Sequence, residues 1–382
     1  MDASAARPPV RDRRARIRSF LEEQGLFAAV LGDWENDRSS NVRYLSGHPS
    51  DAFLFLFASG RSVLVPWDVN MARATADVDE VVPYADFKRN AADTVLRVLE
   101  AGGLDRATGP RVEFSGRTSH LRVLELKETL KGAEVLVRTD GLDREVARLR
   151  TVKDAWEIDR IRRACAVADA LLPMVEALLA SGGPLTEYDA AALIEREALA
   201  RGAEGMGFTT LAAGPGRSWA IHAFPPYSGG PFGGPGLSIL DFGVKVEGYT
   251  SDVTVTVARG RQSPAQEGML SLVQEAHDLV FGLLKPGADP RAVAREADAV
   301  LSRTGRSMPH SLGHGIGLDA HEEPSLSLQG KPAEKGFAPG MVCTVEPGLY
   351  DPAEGGVRLE NDALITPRGV EKLTKSRILR LP

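Results

Sequence analysis

Three of the chain's seven histidines, His310, His314 and His321, fall within twelve residues, and Gly313, Gly315 and Gly317 alternate around the middle one. The stretch Pro309–Pro324 would make a poor core helix, because each interior Gly costs about 1 kcal/mol relative to Ala. It makes better sense as extended backbone held close to something small, with imidazoles aimed at it. Neutral imidazole is the commonest metal ligand, so a metal is the first chemistry to consider. The rival is a glycine-rich surface loop with incidental histidines. Ligands elsewhere in the chain decide between the two.

Two later segments supply candidates. Asp241 and Asp252 lie eleven residues apart in Ile-Leu-Asp-Phe-Gly-Val-Lys-Val-Glu-Gly-Tyr-Thr-Ser-Asp-Val-Thr. Folded as a hairpin turning near Val246-Glu247, this segment places Asp241 opposite Asp252. Directly opposed residues bring Cβ atoms to about 4.5–5.5 Å, and carboxylates that close repel unless a cation lies between them. Glu346, in Val-Cys-Thr-Val-Glu-Pro-Gly, and Glu360, in Val-Arg-Leu-Glu-Asn-Asp, repeat the pattern on a second strand pair. Four carboxylates and one imidazole fit a site for two divalent ions, which in such centres lie about 3.5–4 Å apart and share bridging carboxylates.

The elements that must position these residues divide by pattern. Before residue 140, short apolar runs (27–31, 53–57, 62–66, 81–82, 111–114, 135–137) alternate with helical spacing at 11–24, 89–101 and 118–130. This describes an α/β layer. It lacks a glycine-rich phosphate loop and clustered His, Asp or Glu, so its expected roles are support and oligomer contacts. A long helical pattern runs from Asp154 to Ser181, with Asp154 and Glu157 spaced as a capping box and Pro173 expected to kink it. A second helix is expected from Thr186 to Arg201. A Gly- and Pro-rich loop spans 224–237. Two strands (237–246, 248–257), two helices (264–284, 290–303) and a last strand pair (342–349, 356–366) complete the chain. The fold class is α/β (α+β), with a first domain over 1–145 and a second over 146–382.

Composition narrows the function. Net charge is −6, which invites neither nucleic acid nor an anionic membrane. Arg7, Arg11, Arg13, Arg14, Arg16 and Arg18 read as the solvated face of a first helix, after a frayed tail over residues 1–10. The two cysteines, Cys165 and Cys343, are too few for a disulfide framework and fit a reducing compartment. The longest apolar run, Ala52 to Ala58, is far short of a membrane span. No apolar stretch follows the first arginines as a secretory signal requires, so a cytoplasmic protein is expected.

Together, the two aspartates, Gly-His314-Gly-Ile-Gly, Val-Glu346-Pro-Gly and Val-Arg358-Leu-Glu360-Asn resemble the metallopeptidases of the pita-bread fold. Within them the chain is similar to the prolidase and Xaa-Pro aminopeptidase branch. The likeness in motifs covers roughly 150–382. The segment Asn-Val-Arg-Tyr-Leu-Ser-Gly at 41–47 and the leading domain resemble that branch's creatinase-like N-terminal domain, which methionine aminopeptidases usually lack.

The resemblance implies roles. Asp241 would hold one ion, Asp252 and Glu360 would bridge both, and His314 and Glu346 would complete the second. His222, His310 and His321 match positions that contact substrate or steady the tetrahedral intermediate. Arg358 would hold the substrate carboxylate or an acid standing behind the metal ligands, Thr254 would support the metal-bound acids, and Glu346 would also move the proton. The implied cofactors are two divalent ions, manganese foremost, with cobalt, zinc or iron as alternatives. The implied activity is hydrolysis of the Xaa-Pro bond of dipeptides or peptide N-termini by a metal-bridging hydroxide. A small peptide is the expected partner, and a homodimer the expected assembly. An amidohydrolase acting on another C–N bond, or a non-catalytic binding protein, are the alternatives; the second is at odds with an intact ligand set. The chain departs from the family at Val255, where Arg is usual, which raises a question about electrostatics near the site.

Overall fold

The computed structural model describes residues 8–34, 38–180, 182–329 and 336–382. The first seven residues, with Arg7 and most of the expected frayed tail, lie outside them, as does Ser181. The chain divides into two compact units, one ending at Leu149 and the other beginning at Arg150.

The first unit carries strands β1 (Ala28–Asp33), β2 (Ala52–Phe57), β3 (Ser62–Pro66), β4 (Glu80–Val81), β5 (Arg111–Phe114) and β6 (Glu134–Leu136). They form one mixed sheet in the order β4-β3-β2-β1-β5-β6. Its helices are α1 (Val10–Glu23), α2 (Ser40–Ser46), α3 (Val69–Thr75), α4 (Ala91–Ala101) and α5 (His120–Thr129); α6 (Leu142–Thr151) crosses the division. The arginines of α1 are not all solvated, contrary to expectation. Arg13 is 5 % exposed, lies 4.1 Å from the Tyr44 ring and donates to the Tyr44 carbonyl, while Arg14 donates to the Leu45 carbonyl. They fasten α1 to α2.

The second unit is built from two similar halves. The first half has helices α7 (Ala155–Ala180) and α8 (Glu187–Ala200), then strands β7 (Gly205–Met206), β8 (Leu211–Ala213), β9 (Gly236–Phe242), β10 (Val244–Val246), β11 (Tyr249–Thr250) and β12 (Val253–Arg259). The Asp154–Glu157 capping box forms, and α7 continues through Pro173. The second half has α9 (Pro264–Leu283) and α10 (Pro290–Leu301), then β13 (Gly313–Gly315), β14 (Glu322–Leu326), β15 (Val342–Val345), β16 (Gly348–Asp351), β17 (Gly355–Arg358), β18 (Asn361–Thr366) and β19 (Gly369–Lys372). The closing strand β20 (Leu379–Leu381) returns to pair with β12.

Strand alternation explains why the chemistry gathers on one side. In β12, Val253, Val255 and Val257 pack with Leu240 and Phe242 against Ala168, Leu171 and Ile194 of the helices. In β15 and β18, Cys343, Val345, Ala363 and Ile365 pack against Val273, Ala276 and Ala297. With period two, the intervening residues Thr254, Thr256, Thr344 and Asp362 turn away from the helices that pack behind their own sheet. The two polar faces meet where Thr254 bridges to Glu360.

The register between β9 and β12 differs from the sequence expectation. Asp241 pairs with Thr254, and Asp252 lies two residues further along β12's approach. The turn is Glu247-Gly248, both at positive φ (47° and 89°), flanked by the pair Val246–Tyr249. That is the two-residue hairpin geometry whose twist suits the strands, and it falls one residue later than expected. Asp252 is therefore a diagonal neighbour of Asp241 on the same face.

Candidate active site

The glycines around His314 let backbone come close. A Cβ on Gly313 would lie 2.1 Å from the Thr344 carbonyl oxygen, and one on Gly315 would lie 2.1 Å from that of Glu323. β13 is thereby wedged between β14 and β15. His314 projects from its centre, with its backbone N–H on Thr344 Oγ1 at 3.1 Å. The ring's Nδ1 donates to the Gly315 carbonyl at 3.1 Å, which turns Nε2 toward the acids. Nε2 lies 3.3 Å from Glu346 Oε1 and 3.9 Å from Asp252 Oδ2. A histidine whose second nitrogen is tied to backbone has the tautomer and orientation of a metal ligand.

Ligand atoms of Asp252, His314 and Glu360 all lie within 4.8 Å of one another. Glu346 follows β15, and continuing the β15–β18 register past Val345–Asn361 sets it opposite Glu360. Asp241 joins from β9 through Arg358, whose Nη2 donates to Asp241 Oδ2. Burial, reinforced by neighbouring carboxylates (Glu360 first for Asp252, Glu346 first for Glu360), pushes the pKa values of Asp252 and Glu360 well above the usual range. Burial also raises Asp241, against the opposing pull of Arg358. Burial works in the same direction on Glu346, but the hydrogen bond to and charge of His314 outweigh it and leave Glu346 lowered. Asp241 Oδ1 and Asp252 Oδ1 are buried without a hydrogen-bond partner. Buried carboxylate oxygens without donors are costly unless a cation serves them. Carboxylates with one imidazole suit hard and borderline divalent ions, so the residues present fit a divalent-metal centre.

Arg358 is 2 % exposed and fully engaged. Its Nε donates to Thr254 Oγ1, Nη1 to Tyr350 Oη at 2.8 Å and to the Ile221 carbonyl at 3.2 Å. The acid it holds is Asp241, itself one of the expected ligands, rather than an acid standing behind them. Thr254, as expected, supports the acids: it donates to Glu360 Oε2 at 2.6 Å. Tyr350 Oη in turn bonds His310 Nε2 at 3.0 Å, and His310 Nδ1 donates to the Ser311 carbonyl at 2.8 Å. His310 is half-buried, and that burial lowers its pKa.

His321 is exposed and stacks on His314, with ring centroids 4.1 Å apart. His222 is exposed on the 214–235 loop, and its charge bears on Asp241, His310 and His321. Of the three histidines that the resemblance sets on the substrate side, His310 lies 3.9 Å from Glu346 and His321 lies against His314. Val255 lies elsewhere: it is 1 % exposed in the helix-facing core.

Sequence reasoning missed Tyr350, Thr344 and Asp362. Asp362 Oδ2 accepts the Asp252 backbone N–H at 3.0 Å and the Cys165 thiol at 3.3 Å. Period-two spacing from Glu360 could have found Asp362; Tyr350 carries no such signal.

The family comparisons agree with this geometry. Residues 159–367 match Metallopeptidase family M24, and residues 13–152 match the Creatinase/Prolidase N-terminal domain. The chain belongs to metallopeptidase family M24, and is a metal-dependent hydrolase of prolidase-like type with the creatinase-like first domain and pita-bread second domain expected from its motifs. It is 30% identical over 376 residues to YkvY of Bacillus subtilis (strain 168), whose name gives a provisional dipeptidase assignment; the match covers 95% of this chain and 98% of that one. Among solved structures it resembles the Xaa-Pro dipeptidase from Bacillus anthracis, at TM-score 0.83 and 26% identity over 98% of this chain and 100% of that one. It also resembles the X-Pro aminopeptidase from Thermotoga maritima MSB8, at TM-score 0.82 and 26% identity over 97% and 99%. None of the helices among the described residues is long and apolar enough to cross a membrane.

Proposed function

We propose that the chain hydrolyses the bond between an N-terminal residue and proline, using two divalent ions held by Asp241, Asp252, His314, Glu346 and Glu360. The observation that carries this reading is the gathering of Asp252, Glu346 and Glu360 around His314, with Asp241 tied in through Arg358 and with Asp241 Oδ1 and Asp252 Oδ1 lacking any hydrogen-bond donor. When bound, the ions would acidify a water and polarise the scissile carbonyl.

The chain's own residues do the rest. Glu346, held at the low end of its range by His314, takes the water's proton and passes it to the departing proline nitrogen. That nitrogen is a tertiary amide and leaves poorly unless protonated. His321, exposed and stacked on His314, donates to the developing oxyanion. His310 has both ring nitrogens engaged within the chain, so its part is to orient Tyr350 and through it Arg358. His222 lies on the substrate side. Manganese is the ion favoured by the family likeness, and a homodimer the favoured assembly. The two buried free cysteines support a reducing, cytoplasmic setting.

The test is cleavage of Xaa-Pro dipeptides against Xaa-Pro-Yaa tripeptides after loading with manganese, cobalt, zinc or iron, beside metal analysis of wild type and Asp252→Asn. The reading expects proline-directed cleavage and loss of bound metal in the variant. Metal-replete enzyme that cuts neither substrate, with Asp252→Asn retaining full metal content, would overturn it.

A further inference from the structure

The turn after His314 is held by charges that hydrolysis itself does not use. Gly315 pairs with Glu322 across β13 and β14, so the residues between them, ending in His321, form the loop of a short hairpin. The Glu322 carboxylate is only 6 % exposed. Arg150 Nη2 lies 2.5 Å from Glu322 Oε1 and 2.6 Å from Asp319 Oδ2, and Lys153 Nζ lies 3.2 Å from Glu322 Oε2. The Asp319 backbone N–H is a second donor to Glu322 Oε1, at 3.1 Å. The Arg150 and Lys153 side chains are 9 % and 0 % exposed.

A buried charge cluster of this kind is weak evidence for stability, since apolar replacements are often as stable. Its effect here is geometric. The loop is pinned from the other side as well: the Thr250 N–H donates to the Gly317 carbonyl at 2.8 Å, and the Gly317 N–H to that of Asp319 at 3.1 Å. A Cβ on Gly317 would come 2.6 Å from Glu322 Oε1, so only glycine leaves room for the carboxylate. His321 is the residue directly before Glu322. An exposed imidazole on a free loop samples several rotamers and positions, whereas contact with a reacting group needs placement to about 0.5 Å.

We propose that the Arg150–Lys153–Glu322 cluster positions His321, setting its ring against His314 and toward the substrate, with Glu322 as the positioning residue. The proposal rests on His321 standing on the substrate side. Glu322 acts as an anion: burial raises its pKa, but Lys153 and Arg150 outweigh burial and leave it lowered. The first residues of the second unit thereby become part of the active-site scaffold, although they are separated from Glu322 by about 170 positions of sequence.

The experiment uses the full chain as wild type, Glu322→Gln, Gly317→Ala, His321→Ala and the double variant Glu322→Gln/His321→Ala. Gly317→Ala presses on the same carboxylate without altering charge, and carries the test should Glu322→Gln fail to fold. The first readout is metal-free: the rate at which diethylpyrocarbonate modifies His321, mapped by mass spectrometry and referenced to the exposed His120. A several-fold change in the His321 rate, with His120 constant, is expected in folded Glu322→Gln and Gly317→Ala. An unchanged rate in both overturns the proposal. The second readout is kcat and KM on an Xaa-Pro dipeptide. Glu322→Gln should lower kcat about 10–100-fold at nearly constant KM, as loss of an orienting partner does. The double variant should be no slower than His321→Ala alone, because residues acting through one another are not additive. Fully additive losses overturn the proposal. Should wild type cleave no Xaa-Pro bond, the functional reading fails, while the modification rates still decide the positioning.

Discussion

Thr254 Oγ1 lies 2.6 Å from Glu360 Oε2, and the same hydroxyl accepts from Arg358 Nε at 3.1 Å. One side chain on β12 thus connects the first half's sheet to Glu360 of the second. Thr254→Val keeps the branched shape and removes the hydroxyl. Glu360 then loses a donor and Arg358 an acceptor, both in a buried setting. Metal affinity should fall about 10–100-fold, the usual effect of losing a partner behind a ligand. Competition against a calibrated chelator measures this, and Thr254→Ser should restore most of it. Affinity equal to wild type in the valine variant would remove Thr254 from the metal site.

Arg358 and Asp241 form the site's buried ion pair. Arg358→Met leaves the Asp241 carboxylate without its cation. Breaking a buried pair from one side costs about 3–5 kcal/mol, so urea unfolding of the metal-free chain should shift by that much. Arg358→Lys should recover part of the loss, since it returns charge but not the fork that reaches Thr254, Tyr350 and Asp241 together. A methionine variant as stable as wild type would mean that Asp241 is neutral in the metal-free fold.

His314 stood out by the glycines on either side of it, and that Asp241, Asp252, Glu346 and Glu360 would gather was legible from short strand patterns. The Asp241–Asp252 register was not. It depends on which two residues take positive φ, and Val-Glu-Gly-Tyr admits a turn at either of two positions until the flanking pairs decide. Strand alternation also shows why Val255 faces the helices: the residue next to Thr254 must point the other way. Tyr350 and the Arg150–Glu322 pair were not legible, because tertiary contacts of single residues leave no periodic trace. The arginines of α1 were misread for the same reason, since Arg13 finds the Tyr44 ring only once α2 is folded.

Glycines offer a paired comparison. A Cβ on Gly313 would meet the Thr344 carbonyl at 2.1 Å, whereas one on Gly268, inside α9, meets nothing within 4 Å. Gly268→Ala should stabilise the chain by about 0.5–1 kcal/mol through lower unfolded-chain entropy and better helix propensity. Gly313→Ala must push β13 off β15 and carry His314 away from Glu346. It should destabilise by about 1–3 kcal/mol as overpacking does, and should lose metal affinity besides. Thermal unfolding of the two variants, with and without metal, checks both signs. A Gly313→Ala chain that binds metal normally would show that β13 tolerates displacement and that the glycine is there for another reason.

His277, on α9 and 1 % exposed, gives the clearest pH dependence. Its Nε2 accepts from Asn361 Nδ2 at 3.1 Å, and its Nδ1 faces Asp278 Oδ1 at 3.2 Å. Asn361 cannot flip freely to suit a protonated ring, because its Oδ1 already accepts from Thr374 Oγ1 and the Ser376 N–H. Burial, helped by the positive charge of Lys372 and opposed by Asp278, lowers the pKa from 6.5 to about 4. A base whose folded pKa is depressed stabilises the fold fully above its unfolded pKa. That contribution is lost as pH falls through the window from about 6.5 to about 4, and amounts to about 3 kcal/mol in all. His277→Gln cannot titrate there and can still offer Asn361 an acceptor. Urea unfolding of the metal-free chain at a series of pH values should therefore show a shallower acid slope between about 6.5 and 4 in the variant. Equal slopes in the two proteins would mean that His277 takes up its proton without leaving the fold, through rearrangement of the Asn361 hydrogen bonds beside Glu360.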